Sequence, residues 1–238
     1  MNSYSIFPLG DSAITISLGN CIDEEFNIKT LAIHDWLQAR PFPGQLDVIS
    51  AYSTVTVFYD PARAFLAGVG GPEGVYPWLE GLLRRAWEEA IPQAVDAGAG
   101  KLIELPVCYE GEYAPDLPQV AAQKGLSPEE VVRLHTAEAY RVYMIGFLPG
   151  FPYLGRLDDR LGVPRKPQPE PVRKGGVGIA GMQTGIYPLN SPGGWWIIGR
   201  TPAKLFDLDA EPPVLLQAGD RVRFRPITTA EYKHLSIC

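Results

Sequence analysis

The residues with the widest chemical reach stand close together late in the chain: Arg165 and Lys166, then Gln183, Thr184, Asn190 and Ser191, then Arg200 and Thr201. They are set among Phe147, Phe151, Tyr153, Tyr187, Trp195 and Trp196, and among glycines such as Gly181, Gly193 and Gly194. A pocket for a small anionic or amide-bearing molecule needs this mixture. Its walls are apolar, a few donors converge, and an arginine grips a carboxylate through two parallel hydrogen bonds. Glycine in such a wall lets backbone approach a ligand. The competing reading is structural, with the glycines serving barrel corners and Arg200 capping a strand end.

Other chemistries find no support. No GxGxxG opens a helix after a strand, and there is no GxxxxGK[ST], HExxH or GxSxG. His34, His135 and His234 are too scattered for a metal site, and a structural role is expected of each. His135 stands out because it closes a helix just before the central stretch. Cys21, Cys108 and Cys238 lie far apart without a CxxC, so they read as small hydrophobes or a loose terminal thiol rather than a disulfide framework or zinc site. A net charge of -6 argues against a nucleic-acid partner. No apolar run approaches the roughly 20 residues that span a bilayer, and no basic or apolar leader opens the chain. A cytoplasmic protein without a membrane partner is expected.

The elements that must position these residues follow from periodicity. Residues 4–8 and 13–18 read as a hairpin around Gly10-Asp11, with Ile14, Ile16 and Leu18 on one face. Asp23 stands where an N-cap belongs, and Ile28, Leu31, Ala32 and Trp36 carry a helix until Pro41. Strands are predicted over 47–52 and 54–59, the second stopped by Asp60-Pro61, and then a helix through Leu79, Leu82, Leu83, Ala86 and Ala90 that ends before Pro92. One sheet with helices on one face buries those stripes, the ferredoxin-like arrangement being the nearest common form.

Residues 92–100 are small and rich in breakers, so the boundary falls there and the domains are 1–97 and 98–238. The strand at 101–109 could close the first sheet or open the second domain. Ser127-Pro-Glu-Glu130 is a capping box opening a helix to about Ala137. Short strands around 140–145, 176–180, 185–189, 195–199 and 221–225, with Gly/Pro turns between them, indicate a β-barrel. The proline-dense loop 164–171 favours extended backbone.

The run HTAEAYRVYMIGFLPGFPYLG from His135, the PRK at 164–166 and GIAGMQTGIYPLNSPGGWWIIGRTP from Gly178 resemble one bacterial family. It includes the B subunit of ATP-dependent 5-oxoprolinase, the sporulation kinase inhibitor KipI and the first half of the urea carboxylase carboxyltransferase domain, and its members are often labelled allophanate hydrolase subunit 1. GDSAITISLG, YSTVTVFYDP, ELPVCYEGEYAPDL and LQAGDRVRFRPI extend the resemblance over nearly the whole chain. It implies an α+β N-terminal domain followed by a cyclophilin-like β-barrel. Fold does not carry function, so prolyl isomerase activity is not expected.

The resemblance also implies a non-autonomous enzyme subunit. A homologous C subunit of KipA type and an A subunit of LamB/YcsF type would join it in hydrolysing 5-oxoproline to glutamate, with ATP used by the assembled complex and not bound by this chain alone. No metal or prosthetic group is implied, and no catalytic residue is assigned. The alternatives are an inhibitor that binds a sensor histidine kinase and a subunit of urea or allophanate carboxyl transfer with a biotin-carrying partner. Matched to the family motif, the substrate-binding candidates are Arg165, Gln183, Thr184, Tyr187, Ser191, Pro192, Gly193, Trp195, Arg200 and Thr201. Arg165 or Arg200 would take a carboxylate, Gln183 and Thr184 the amide or a bound intermediate, and Tyr187 and Trp195 would form walls. One stretch departs: PEPVRKGGV stands where many members read PRxxVPAGSV, with Glu170 near the family's arginine.

Overall fold

The computed structural model describes residues 4–94 and 100–237. The chain divides into two compact units, Met1–Gly98 and Ala99–Cys238. Most of the expected linker, residues 95–99, lies outside the described residues, as does Cys238.

In the first unit the elements are β1 (Ser5–Pro8), β2 (Ala13–Ser17), α1 (Glu24–Gln38), β3 (Gln45–Ser50), β4 (Thr54–Tyr59), α2 (Pro61–Leu66) and α3 (Val75–Ala94). The strands form one antiparallel sheet in the order β1-β2-β4-β3. The run from β2 to α3 follows the ferredoxin-like path, while the edge strand beside β2 comes from the N-terminal hairpin instead of a strand after the last helix. Alternation turns Ile14, Ile16, Val55 and Val57 inward, onto Ile33, Trp36 and Leu37 of α1 and Leu79, Leu83 and Ala86 of α3.

Asp23 caps α1 by accepting from the Phe26 N–H at 3.0 Å. Asp60-Pro61 does more than stop β4: Asp60 accepts from the Arg63 N–H at 2.9 Å and Pro61 begins α2. Helix α3 runs through Pro92 to Ala94 instead of ending before it. In the last turn the ring removes one bond near a terminus, where the loss is smallest.

The second unit comprises β5 (Leu102–Cys108), α4 (Leu117–Lys124), α5 (Pro128–Thr136), β6 (Ala139–Ile145), β7 (Pro152–Gly155), β8 (Glu170–Val172), β9 (Gly176–Ala180), β10 (Gln183–Ile186), β11 (Ser191–Gly193), β12 (Trp196–Arg200), β13 (Arg221–Ile227) and α6 (Thr229–Leu235). Seven strands close a barrel in the order β10-β7-β6-β13-β5-β12-β9, while β8 and β11 form a separate two-stranded ribbon. The strand at 101–109 thus belongs to the barrel, where β5 pairs parallel to β13 from Leu102↔Arg221 to Cys108↔Ile227. The strand expected at 185–189 starts earlier, because Gln183 pairs with Ala180 across a two-residue turn at Gly181-Met182. The capping box opens α5 as expected, with the Glu130 N–H donating to Ser127 Oγ at 3.2 Å.

Strand alternation builds two cores from one wall. Trp196 and Ile198 join the main core with Leu105, Val107, Val142, Val177, Ile179 and Phe224, together with Val120 of α4 and Val131 of α5. Their neighbours Trp195 and Ile197 turn the other way, to a smaller cluster with Phe151, Val172 and Tyr187.

Candidate functional site

A cleft of about 230 Å³ opens over that smaller cluster. Phe147 and Phe151 reach it from the segment joining β6 to β7, Tyr153 from β7, and Arg165 and Pro169 from the segment before β8. Tyr187, Pro192, Gly193, Gly194 and Trp195 come from the stretch between β10 and β12. Phe151 is the hub: its ring centroid lies 4.8 Å from Tyr153, 5.1 Å from Tyr187, 5.6 Å from Trp195 and 5.7 Å from Phe147, mostly edge to face.

The turn carrying Phe147 is tight. The Gly146 N–H donates to the Phe151 carbonyl at 3.1 Å and the Phe151 N–H to the Leu148 carbonyl at 3.0 Å. Gly150 takes the left-handed conformation such a turn needs, and Phe147 does too, at φ 71°. A bulky side chain in that region is strained by roughly 1–2 kcal/mol. Phe147 nevertheless leaves its ring 64% exposed, at the cleft mouth rather than in the core.

Tyr187 supplies the polar floor. Its side chain is buried, and burial pushes its pKa up to about 12 against the opposing pull of the nearby Trp195 backbone N–H and of Arg165. It therefore stays protonated and keeps its own proton to donate. Gly193 must be glycine, since a Cβ would lie 2.2 Å from the Tyr187 oxygen. Tyr153 is likewise raised by burial, with Arg165 opposing. Arg165 is thus electrostatically coupled to both tyrosines. No Asp or Glu lies within ion-pair distance of it among the described residues.

The backbone behind Arg165 is clamped. The Pro164 carbonyl accepts from Trp196 Nε1 at 2.7 Å, and the Lys166 N–H donates to the Gly194 carbonyl at 2.8 Å. Lys166 turns away from the cleft mouth to Asp116 and Glu170, and its ammonium lies 5.2 Å from the Trp196 ring centroid. Burial lowers its pKa, but the two carboxylates outweigh that and raise it overall. Asp116 also accepts the Ile197 N–H at 2.6 Å.

Of the ten substrate-binding candidates, the cleft gathers Arg165, Tyr187, Pro192, Gly193 and Trp195. Ser191 stands at the start of β11 with its hydroxyl turned to the Pro192 carbonyl at 2.9 Å. Gln183 is half-buried on β10, opposite Gly155. Thr184, next along the strand, faces the barrel interior and is fully buried. Arg200 lies over the Tyr113 ring, 5.7 Å from its centroid, and near Tyr232. Thr201 lines a different cleft of about 490 Å³, with Lys174, Lys204 and Tyr232. Phe147, Phe151 and Tyr153, which the sequence set around the polar candidates but outside the ten, also line the cleft, presented by the tight GFLPGFPY turn.

Thr184 belongs to a buried chain of hydrogen bonds. Its hydroxyl donates to the Gly178 carbonyl at 3.0 Å and so accepts from His135 Nε2 at 2.9 Å. His135 Nδ1 then accepts the Tyr109 hydroxyl proton at 2.9 Å. His135 stacks on Phe224 at 4.6 Å, and burial lowers its pKa to about 3. With both ring nitrogens satisfied inside the core, this histidine is structural. No group of three His, Cys, Asp or Glu among the described residues could hold a metal ion. No helix among them is long and apolar enough to cross a membrane.

The family described as carboxyltransferase domain, subdomain C and D, matches residues 4–216. The chain is 44% identical to the 5-oxoprolinase B subunit of Bacillus subtilis over 231 residues, covering 96% of this chain and 95% of that one. It is 50% identical to the 5-oxoprolinase B subunit of Escherichia coli O157:H7 over 145 residues, 60% of this chain and 65% of that one. The crystal structure of TTHA0988 superposes at a TM-score of 0.76 with 39% identity over 90% of this chain, which spans only 39% of that longer one. The Kluyveromyces lactis urea carboxylase shares the fold, at a TM-score of 0.74 and 18% identity over 97% of this chain and 22% of that one.

Proposed function

The chain belongs to the family of 5-oxoprolinase B subunits, built on the carboxyltransferase subdomain C and D fold, and from that membership we propose that it is the B subunit of an ATP-dependent 5-oxoprolinase. The reading is that this chain binds and orients 5-oxoproline while a homologous C subunit and an A subunit complete the enzyme that opens the lactam to glutamate. ATP is spent by the assembled complex, because a five-membered lactam is a stable amide whose opening needs coupling. No phosphate-binding loop is present in this sequence.

The single observation that carries the reading is the pairing of a carboxylate-free arginine with an aromatic cleft. Arg165 supplies two parallel donors for the one carboxylate of 5-oxoproline. The rings of Phe151, Tyr153 and Trp195 cover the methylene side of a flat, five-membered ring. The Tyr187 hydroxyl, kept protonated by burial, donates to a carbonyl oxygen.

The test is reconstitution. The chain is co-expressed with candidate C and A subunits, and glutamate release from 5-oxoproline is followed with and without ATP, leaving out each chain in turn. Glutamate that requires ATP and vanishes without this chain supports the reading. A correctly assembled complex that releases none overturns it.

A further inference from the structure

Two basic residues stand side by side at the cleft, and the acids go to only one of them. Lys166 Nζ donates to Asp116 Oδ1 at 2.9 Å and to Glu170 Oε2 at 2.6 Å, and its side chain is only 9% exposed. Arg165, its exposed neighbour, has no acid within ion-pair distance among the described residues. The clamp at Pro164 and Lys166 fixes the backbone on both sides of Arg165, which lines the cleft while Lys166 does not. Asp116 is further committed to the Ile197 N–H. Glu170 is less so. It lies opposite Gly193 in the β8–β11 register, so its backbone borders the cleft, and its side chain is 62% exposed.

We propose that Lys166 is a positioning residue that keeps Arg165 available to an anionic ligand by engaging the neighbouring carboxylates, Glu170 above all. A Glu170 carboxylate without a partner would compete with the ligand for the Arg165 guanidinium, since both offer the same planar acceptor. The inference rests on the reading of the cleft as the 5-oxoproline site and adds a residue whose role is electrostatic, exerted through its neighbour.

The experiment is a charge cycle in the assembled enzyme, read as KM for 5-oxoproline and kcat. Lys166→Met is expected to raise KM about tenfold, the order of one charge-assisted hydrogen bond, with kcat changed by less than about twofold. Adding Glu170→Gln to that variant is expected to return KM to within about threefold of the starting value. A lysine that merely holds the fold would not be rescued by neutralising Glu170. Should Lys166→Met fail to fold because Asp116 loses its ion-pair partner, the Asp116→Asn/Lys166→Gln variant removes both charges while still stranding Glu170. The same rise and the same rescue are expected there.

Arg165→Ala is measured alongside. If it raises KM while the Lys166 variants do not, or if Glu170→Gln fails to rescue them, the positioning role is overturned and the substrate reading stands. If Arg165→Ala leaves KM unchanged, the cleft is not the carboxylate site and both fall together.

Discussion

Gly193 and Tyr187 compete for one space: a Cβ at position 193 would lie 2.2 Å from the tyrosine hydroxyl, so the glycine is what allows that hydroxyl to sit in the cleft wall. Gly193→Ala must push the Tyr187 ring aside. The expected cost is about 1–3 kcal/mol of stability from overpacking, with ligand affinity falling at least about tenfold. Thermal melting and substrate titration of the assembled enzyme measure the two effects separately. An affinity that survives the substitution would remove Tyr187 from the site.

The two arginines proposed for the carboxylate separate cleanly. Arg165 lines the cleft, whereas Arg200 lies over Tyr113 and near Tyr232. Arg165→Lys keeps the charge but loses the fork, and is expected to raise KM roughly tenfold with little change in melting temperature. Arg200→Lys is expected to leave KM in place and cost about 1 kcal/mol of stability. Steady-state kinetics of both variants decide it, and a KM effect confined to Arg200 would reverse the assignment.

Phe147 carries backbone strain that glycine would not. Phe147→Gly is expected to leave stability unchanged or raise it by about 1 kcal/mol, while Phe147→Ala keeps the unfavourable φ and gains nothing. Both lose the ring at the cleft mouth and are expected to weaken substrate binding several-fold. Denaturant unfolding of the two variants side by side reads the difference. Equal binding by both variants and the parent would show that the strained turn serves no ligand.

His135 predicts a pH dependence with a definite sign. Its pKa is 6.5 when exposed and about 3 when folded, lowered by burial. Between those values the unfolded chain binds a proton that the folded chain refuses. Stability from this group is therefore complete above about pH 6.5 and is lost as pH falls toward 3, by at most about 1.4 kcal/mol per pH unit. His135→Gln is expected to flatten that segment of the profile, at a cost of about 1–3 kcal/mol at pH 8 from the broken chain to Tyr109 and Thr184. Urea unfolding across the range, followed by tryptophan fluorescence, checks both.

Much of this architecture was legible because its signals are local. Ser127 and Glu130 announce a helix start in four residues, and Val55, Val57 and Tyr59 announce a buried strand face in five. What escaped depends on partners far along the chain. Helix α4 was hidden by Pro118 near its start and by an Asp116 whose carboxylate serves Ile197 and Lys166 instead of its own helix. Strands β7, β8 and β11 are three or four residues long and exist through their pairings. The site divided along the same line. A motif places Gln183 and Thr184 together, but the pleat sends neighbours to opposite faces, so Thr184 meets His135 inside the barrel and leaves the cleft to others. Strand direction thus decides which residues of the stretch line the cleft.

The parallel pairing of β5 with β13 joins segments far apart in the sequence, and the Lys101 N–H to Asp220 bond that helps seal it spans 119 residues. During translation, every residue of the cleft leaves the ribosome before the strand that closes the barrel does. The aromatic wall must wait, half supported, for Arg221–Ile227 to slot between β5 and β6. Removing that strand would therefore disable a cleft to which it contributes no side chain. The cleft is complete only once Arg221–Ile227 has been made and paired.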